Sequence, residues 1–383
     1  MSGIATWGLD NTARDLTGIL STLVQDQPMF LKRFPVKGPA ASVKHEWLED
    51  VLKPRSIAFT AFDATGGTFT VPDAAGWAAG DILRIKGDSA LYRVESVTST
   101  SITVTLLAAN GSAITALADI AATSGTLIYD HRPVPQGSNS GESLFSQSGI
   151  EYNYTEIIRG DVEITNTALA VKTYGNENAM PYQLRRALLT IMRQANNICL
   201  FGHRGTSSPS ALAPGRAGGL YFFGTQPGAL LVDALGGALS LKLINDAAQN
   251  ILDAGGNPDT VLCGPGQARV ISQLMRGQIH LTPGDTKRGS FANMIISEST
   301  GQVMDVFIEP NLSSLDADLW VIDSSSLGMV YLRDRQLHSE PATAPGYDGQ
   351  KWTILGEFTF EFKNAKQKIC RVKGLKDSAS SLV

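Results

Sequence analysis

No run of 18 apolar residues occurs in the 383-residue chain, so the sequence offers no bilayer-spanning helix. Cysteine is scarce: Cys199, Cys263 and Cys370 are odd in number and far apart, which points to neither a disulfide framework nor a zinc site. They are expected to be small buried apolar residues in a reducing cytoplasm. Charge is thin as well. Charged residues make up 18% of the chain and the net charge is −4, which gives no chain-wide attraction to nucleic acid or to an acidic membrane. The stretch Met-Ser-Gly-Ile-Ala-Thr-Trp that opens the chain lacks the basic-then-apolar order of a secretory signal.

Motifs that carry chemistry are missing too. No Gly-x-x-x-x-Gly-Lys-Ser/Thr loop occurs, and Cys263-Gly-Pro-Gly-Gln lacks the lysine and third glycine that would hold a nucleotide. His45, His131, His203, His280 and His338 never fall at ligand spacing and read as surface or loop residues. No Gly-x-Ser-x-Gly elbow exposes a serine. Asp316-Ala-Asp318 reads as a solvated turn, and Asp285 to Arg288 as a charged loop tip. Lys363, Lys366, Lys368, Arg371, Lys373 and Lys376 alternate with apolar residues, as in a strand with a wet positive face and weak docking potential. The expectation is a non-enzyme with no catalytic residues, no metal and no cofactor.

What is present is punctuation and patterning. Glycine numbers 38, which favours turns and extended segments. Residues 1–50 read as an arm: Asn11 or Thr12 caps a short helix through Leu16, Ile19, Leu20 and Leu23, and Pro28, Pro35 and Pro39 keep the rest extended. Trp7, Phe30, Phe34 and Trp47 then need a host, either this subunit or a neighbour. From Pro54 to Pro133, strand-like runs (Ile57–Phe62, Phe69–Val71, Ile82–Ile85, Leu91–Val97, Ile102–Leu107, Thr126–Tyr129) alternate with turns such as Gly66-Gly67 and Gly87-Asp88. This predicts a small β-barrel or sandwich whose first and last runs pair, so that it can sit within a longer loop.

The longest helical pattern runs over 181–201. Asn178 is a candidate cap, Pro181 suits the first turn, and Leu184, Leu188, Ile191, Ala195 and Ile198 form a stripe. Gln183, Arg185, Arg186, Arg193 and Asn196 are placed on the opposite, wet or subunit-facing side. From Ser240 onward an α/β pattern follows, with helices from Leu241 and Pro265 and strands at Thr260–Cys263, Met294–Ile296, Met304–Ile308 and Leu319–Ile322. Uneven apolar spacing over Trp352–Phe362 implies a bulge or a strand buried on both faces.

Three stretches taken in succession carry a family resemblance: Asn11-Thr-Ala-Arg-Asp-Leu-Thr with Gln27-Pro28-Met29-Phe30; Ile164-Thr-Asn-Thr-Ala-Leu-Ala-Val-Lys-Thr-Tyr-Gly through the long helix to Arg216-Ala-Gly-Gly-Leu; and Leu327-Gly-Met-Val-Tyr-Leu-Arg with Leu355-Gly-Glu-Phe-Thr-Phe-Glu-Phe-Lys-Asn-Ala-Lys. In order and spacing the chain resembles the major capsid proteins of tailed bacteriophages, in the branch with an enlarged loop insertion on the Hong Kong 97-type shell fold. The resemblance implies an α+β class with an N-terminal arm (1–50), an E-loop (51–155) carrying the all-β unit (about 54–133), a peripheral domain (156–235) with spine helix 181–201, an axial domain (236–335) and C-terminal strands (336–383) returning to the peripheral domain. It implies hexamers and pentamers of this chain in an icosahedral shell around double-stranded DNA, touched non-specifically. A separate scaffolding protein, a portal and a decoration protein are the implied partners. Assembly is implied in the host bacterial cytoplasm, with the virion capsid as destination and no membrane.

Trp7, Phe30, Phe34, Trp47, Gln183, Arg186, Arg193 and Arg288 are the candidate subunit-contact residues. A lysine–asparagine weld from Lys44, Lys53 or Lys86 to Asn364 is not expected, since Lys-Asn-Ala-Lys reads equally well as a turn. The alternatives are an encapsulin-like compartment, which shares the fold but stores cargo, and a phage tail or decoration protein.

Overall fold

The computed structural model describes residues 30–50, 55–74, 76–108, 116–117, 120, 124–134, 136, 149–171, 179–206, 208–210, 213–275, 294–296, 301, 303–315 and 317–376. Strand β1 (Lys44–Glu49) leads into seven short strands: β2 (Ser56–Phe59), β3 (Ala61–Asp63), β4 (Thr68–Thr70), β5 (Ile82–Ile85), β6 (Leu91–Val97), β7 (Ser101–Ala108) and β8 (Gly125–His131). β9 (Gly149–Tyr154) then returns antiparallel to β1, with Lys44 opposite Tyr154 and Glu49 opposite Gly149. A two-stranded stem thus carries the whole β unit.

The seven strands lie in the order β2-β8-β5-β6-β7-β4-β3. Only Thr60 separates β2 from β3, and its N–H donates to the Thr70 carbonyl at 2.9 Å. The two ends of the order are therefore one bent segment, and the sheet closes on itself as a barrel. Closure removes the open edges that would otherwise invite pairing with other chains. Period-two patterning decides what faces inward: in β7, Ile102 and Val104 are buried while Thr105 is exposed. Phe59, Phe69, Leu83, Tyr92 and Leu127 join them in a hydrophobic cluster of the unit's own. At the β3–β4 turn Gly67 sits at φ +60°, and a Cβ there would lie 2.6 Å from the Val104 carbonyl oxygen, so glycine is required. The expected pairing of first and last runs is found, with Ser56 opposite Ile128.

The remainder runs β10 (Glu156–Thr165), α1 (Asn166–Ala170), α2 (Ala179–Phe201), α3 (Leu220–Gly224), β11 (Leu230–Asp233), α4 (Leu241–Asp253), β12 (Thr260–Cys263), α5 (Pro265–Leu274), β13 (Met294–Ile296), β14 (Val303–Ile308), β15 (Leu319–Ile322), β16 (Leu327–Tyr331), β17 (His338–Pro341), β18 (Gly349–Phe362), α6 (Ala365–Lys368) and β19 (Ile369–Lys373). It holds two sheets. In the first, β18 lies between β10 and β16 and also pairs β17; in the second the order is β11-β19-β15-β12-β14-β13. α2 packs on the first sheet, where Ile191, Ala195, Cys199 and Leu200 share a core with Trp320, Phe358, Phe360 and Phe362. α4 and α5 pack on the second through Ile244, Ala248, Ile251, Val270 and Ile271. Ser240 Oγ caps α4 by accepting the Leu243 N–H, and Gly255, at φ +89°, lies just past its end.

Several expectations need correction. The stripe on α2 is interrupted: Leu188 is 37% exposed, while Leu184 and Ala187 pack half-buried against the core. Asn196, placed on the wet face, is fully buried. β11 and β19 pair within the second sheet and β16 within the first, while Ile369 of β19 also packs in the core that α2 shares. β18 shows no register shift against β10 or β16 and is buried on both faces over Glu357–Phe362. Burial, not a bulge, explains its uneven pattern. The capping residue Asn178 lies outside the described residues.

Candidate assembly surface

The arm is fastened to the body by groups that the sequence hides. The Phe30 N–H donates to Glu309 Oε2 at 2.8 Å, the Leu31 N–H donates to Asn196 Oδ1 at 2.9 Å, and Asn196 Nδ2 donates to Glu309 Oε1 at 3.2 Å. Glu309 and Asn196 are both fully buried, so the arm's backbone satisfies polar atoms that could not be left bare. Phe34 then inserts edge-on against Phe30, Phe360 and Phe362, with centroids 5.1, 5.3 and 5.6 Å away. Beyond it the chain runs parallel to β16, exchanging Lys37 N–H to Met329 O (2.8 Å) and Met329 N–H to Pro35 O (3.0 Å).

Glu361 ties this segment to the stem. Its Oε2 meets Lys37 Nζ at 2.8 Å and Lys363 Nζ at 3.5 Å, and its Oε1 meets His45 Nε2 at 2.6 Å. Burial raises its pKa, but the hydrogen bonds from His45 and Lys37 and the charges of Lys37 and Lys363 prevail and bring it down to about 2. Opposite, Asn153 saturates all its bonding capacity: Nδ2 donates to the carbonyls of Gly218 (3.0 Å) and Phe360 (2.9 Å), while Oδ1 accepts from the N–H groups of Gly218 (2.8 Å) and Tyr154 (3.0 Å). Arg204 lies 4.0 Å over the Tyr152 ring, pairs with Glu151 and donates to the Tyr152 carbonyl. The foot of the stem is rigid. Above it, Leu48 and Ile150 face one another across the ladder at 71% and 64% exposure, an apolar pair that the described residues leave open.

The candidate contact residues divide. Phe30, Phe34 and Trp47 are 0%, 5% and 6% exposed inside this chain's core; this subunit, not a neighbour, is their host. Gln183 is half-buried and Arg186 and Arg193 are exposed on α2, with Arg186 5.8 Å over the Tyr182 ring. Trp7 and Arg288 lie outside the described residues. The basic tail is not a docking face: Lys368, Arg371 and Lys373 reach Asp323 (3.4 Å), Asp318 (2.8 Å) and Asp233 (3.1 Å), and β19 sits inside a sheet. Asp318 is 4% exposed and also accepts from the Tyr221 hydroxyl at 2.7 Å, so it is no solvated turn residue. His45 is likewise a half-buried strand residue. Asn364 opens α6 in the left-handed region at φ 52° and donates its N–H to Glu49. Helical spacing places Asn196 on the wet side of α2, and no sequence motif singles out Asn153, Glu309 or Glu361. Their only signal is a lone polar residue set among aromatic or apolar ones, as in Tyr152-Asn153-Tyr154.

Among the described residues no cluster of His, Cys, Asp and Glu suits a metal ion, and no helix is long and apolar enough to cross a membrane. Residues 3–376 match the family described as SU10 major capsid protein. The chain belongs to that family. As a major capsid protein it is a structural component of the phage head shell, located in the virion capsid, and its family is a non-enzymatic class. Solved structures agree on the fold, which is of the Hong Kong 97 type. One from Mycobacterium phage Adephagia shares 12% identity over 97% of this chain and 98% of its own, with a TM-score of 0.51. The capsid of an empty GTA particle shares 9% over 98% and 99%, also at 0.51. The SrpI encapsulin of Synechococcus elongatus PCC 7942 shares 11%, covering 60% of this capsid protein and 77% of itself at a TM-score of 0.42, too distant to argue from. No curated protein matches.

Proposed function

We propose that this capsid protein tiles an icosahedral head as hexamers and pentamers that enclose double-stranded DNA, and that residues 51–155 form an E-loop laid on a neighbouring copy. The observation that supports this reading is the contrast within the stem: a foot saturated with buried hydrogen bonds, and directly above it the Leu48–Ile150 pair, which the described residues leave exposed. A two-stranded ribbon is marginal in water on its own and gains stability when its apolar face is covered. Rings of identical subunits supply such cover through heterologous contacts that close.

Assembly is placed in the host cytoplasm with a separate scaffolding protein, a portal and a decoration protein. The barrel projects outward or bridges adjacent capsomers. Negative-stain images of the purified chain test the central claim: icosahedral particles, or their hexamers and pentamers, are expected. A monomer at every concentration overturns it, as do closed particles that package an enzyme instead of DNA. Removing residues 56–130 is expected to weaken the assembled shell; unchanged shell stability would argue against bridging.

A further inference from the structure

Charge in this chain is sorted by region. α2 carries Arg185, Arg186 and Arg193 and no acidic residue over its 23 positions. The barrel, residues 56–131, carries seven carboxylates against Arg84, Lys86 and Arg93. That imbalance accounts for the whole net charge of −4, leaving acidic and basic residues equal in number over the remainder. The two regions therefore differ in sign while the molecule as a whole is nearly neutral for its length.

The arginines are also sorted around the helix. Arg186 and Arg193 lie seven positions apart, about 10 Å along the axis and on one side of it. Thr190, Gln194 and Asn197 are exposed on that side, and Leu189 is the apolar side chain among them. Leu188 points the other way at this spacing. The helix thus contributes cationic and amide donors and no carboxylate of its own to this face, which Glu156 and Arg159 of β10 border at Gln194 and Asn197. That composition suits phosphate oxygens, whereas the centre of a protein interface is depleted of charge and built on aromatic anchors.

We propose that the Arg185–Arg186–Arg193 face of α2 is turned to the head interior and binds the phosphate backbone of duplex DNA without sequence preference, the acidic barrel being turned away from it. This assignment rests on the proposal that the shell encloses DNA and replaces the expectation that Arg186 and Arg193 meet a neighbouring subunit. A shell wall with basic residues inside and acidic residues outside lowers the repulsion of a packed polyanion and repels stray nucleic acid from its outer surface.

The test uses full-length R185Q/R186Q, with K242Q, which removes one charge at an exposed position of α4, as the control. Two readouts are taken: particle formation by electron microscopy, and binding of a 30-base-pair duplex of arbitrary sequence to the purified protein as salt is varied. The double variant is expected to form particles as the parent does. Its log K against log salt is expected to be shallower by about two units, since each phosphate contact contributes roughly 0.9. Between 50 and 200 mM salt the parent's advantage then narrows by roughly tenfold, while K242Q leaves the slope unchanged. An unchanged slope in R185Q/R186Q overturns the assignment. Loss of particles by the double variant while the control still assembles also overturns it, by making the face a protein interface. Failure of the parent to form any particle would count against the shell reading instead.

Discussion

The barrel and the arm are both appendages of the same body, yet they are built on opposite terms. The barrel closes a sheet on itself around Phe69, Leu83, Tyr92 and Leu127, all fully buried in its own cluster. The described part of the arm, from Phe30, has no core of its own. Phe30 and Phe34 belong to the cluster of α2 and β18, and its backbone donors end on Glu309 and Asn196. A self-contained unit fails alone, while a shared one takes its host with it.

The largest expected effect separates the two. Phe34→Ala should remove about 3–5 kcal/mol from the body's stability. Leu83→Ala should cost about 2–5 kcal/mol, confined to the barrel's own transition. Calorimetry showing two transitions, each shifted by only one of the substitutions, is the expected result; a single transition moved by both would erase the distinction.

Next in size is Glu361. Its folded pKa of about 2 lies below an unfolded value near 4.3, so its stabilisation is complete above the unfolded value and disappears as pH falls through the folded one. The effect is about 3 kcal/mol at 1.36 kcal/mol per unit. Denaturant titrations should show stability falling from pH 5 towards 2, with E361Q flattening the profile over that window. Proteolysis near residues 35–40 should rise in step, while the barrel resists. Smaller still is Ser240→Ala, which removes the α4 cap and should cost about 1 kcal/mol, measurable as a shifted denaturation midpoint. Smallest for the fold is L48S/I150S: less than about 0.5 kcal/mol within one chain, but a marked loss of higher-order species by analytical ultracentrifugation. Wild-type association by this double variant would show that the exposed pair is not a contact.

The same contrast explains what could be read from sequence. The six expected runs fall on the seven barrel strands, with β2 and β3 read as one run, because alternation and Gly-rich turns are local signals; the bend at Thr60 that divides that run was not legible. Helices α2, α4 and α5 were legible for the same reason. Partners remote in sequence were not. Asn196 reads as a wet-face residue by helical spacing, and the arm's backbone, 165 positions away, together with Glu309 makes burial tolerable there. Asp318 resembles a turn until Arg371 and Tyr221 converge on it. The tail lysines and Arg371 look like a free positive face because their carboxylates come from three other elements. The apolar character of Phe30, Phe34 and Trp47 announced that they would be buried; it did not say in which subunit.

The Ser56–Ile128 cross-strand pair has a practical side. The barrel's entry and exit lie on adjacent strands, so the host loop sees only a narrow doorway and is indifferent to what stands behind it. Another folded module whose ends lie as close together can be exchanged there, which would turn the particle wall into a display platform with one guest per subunit.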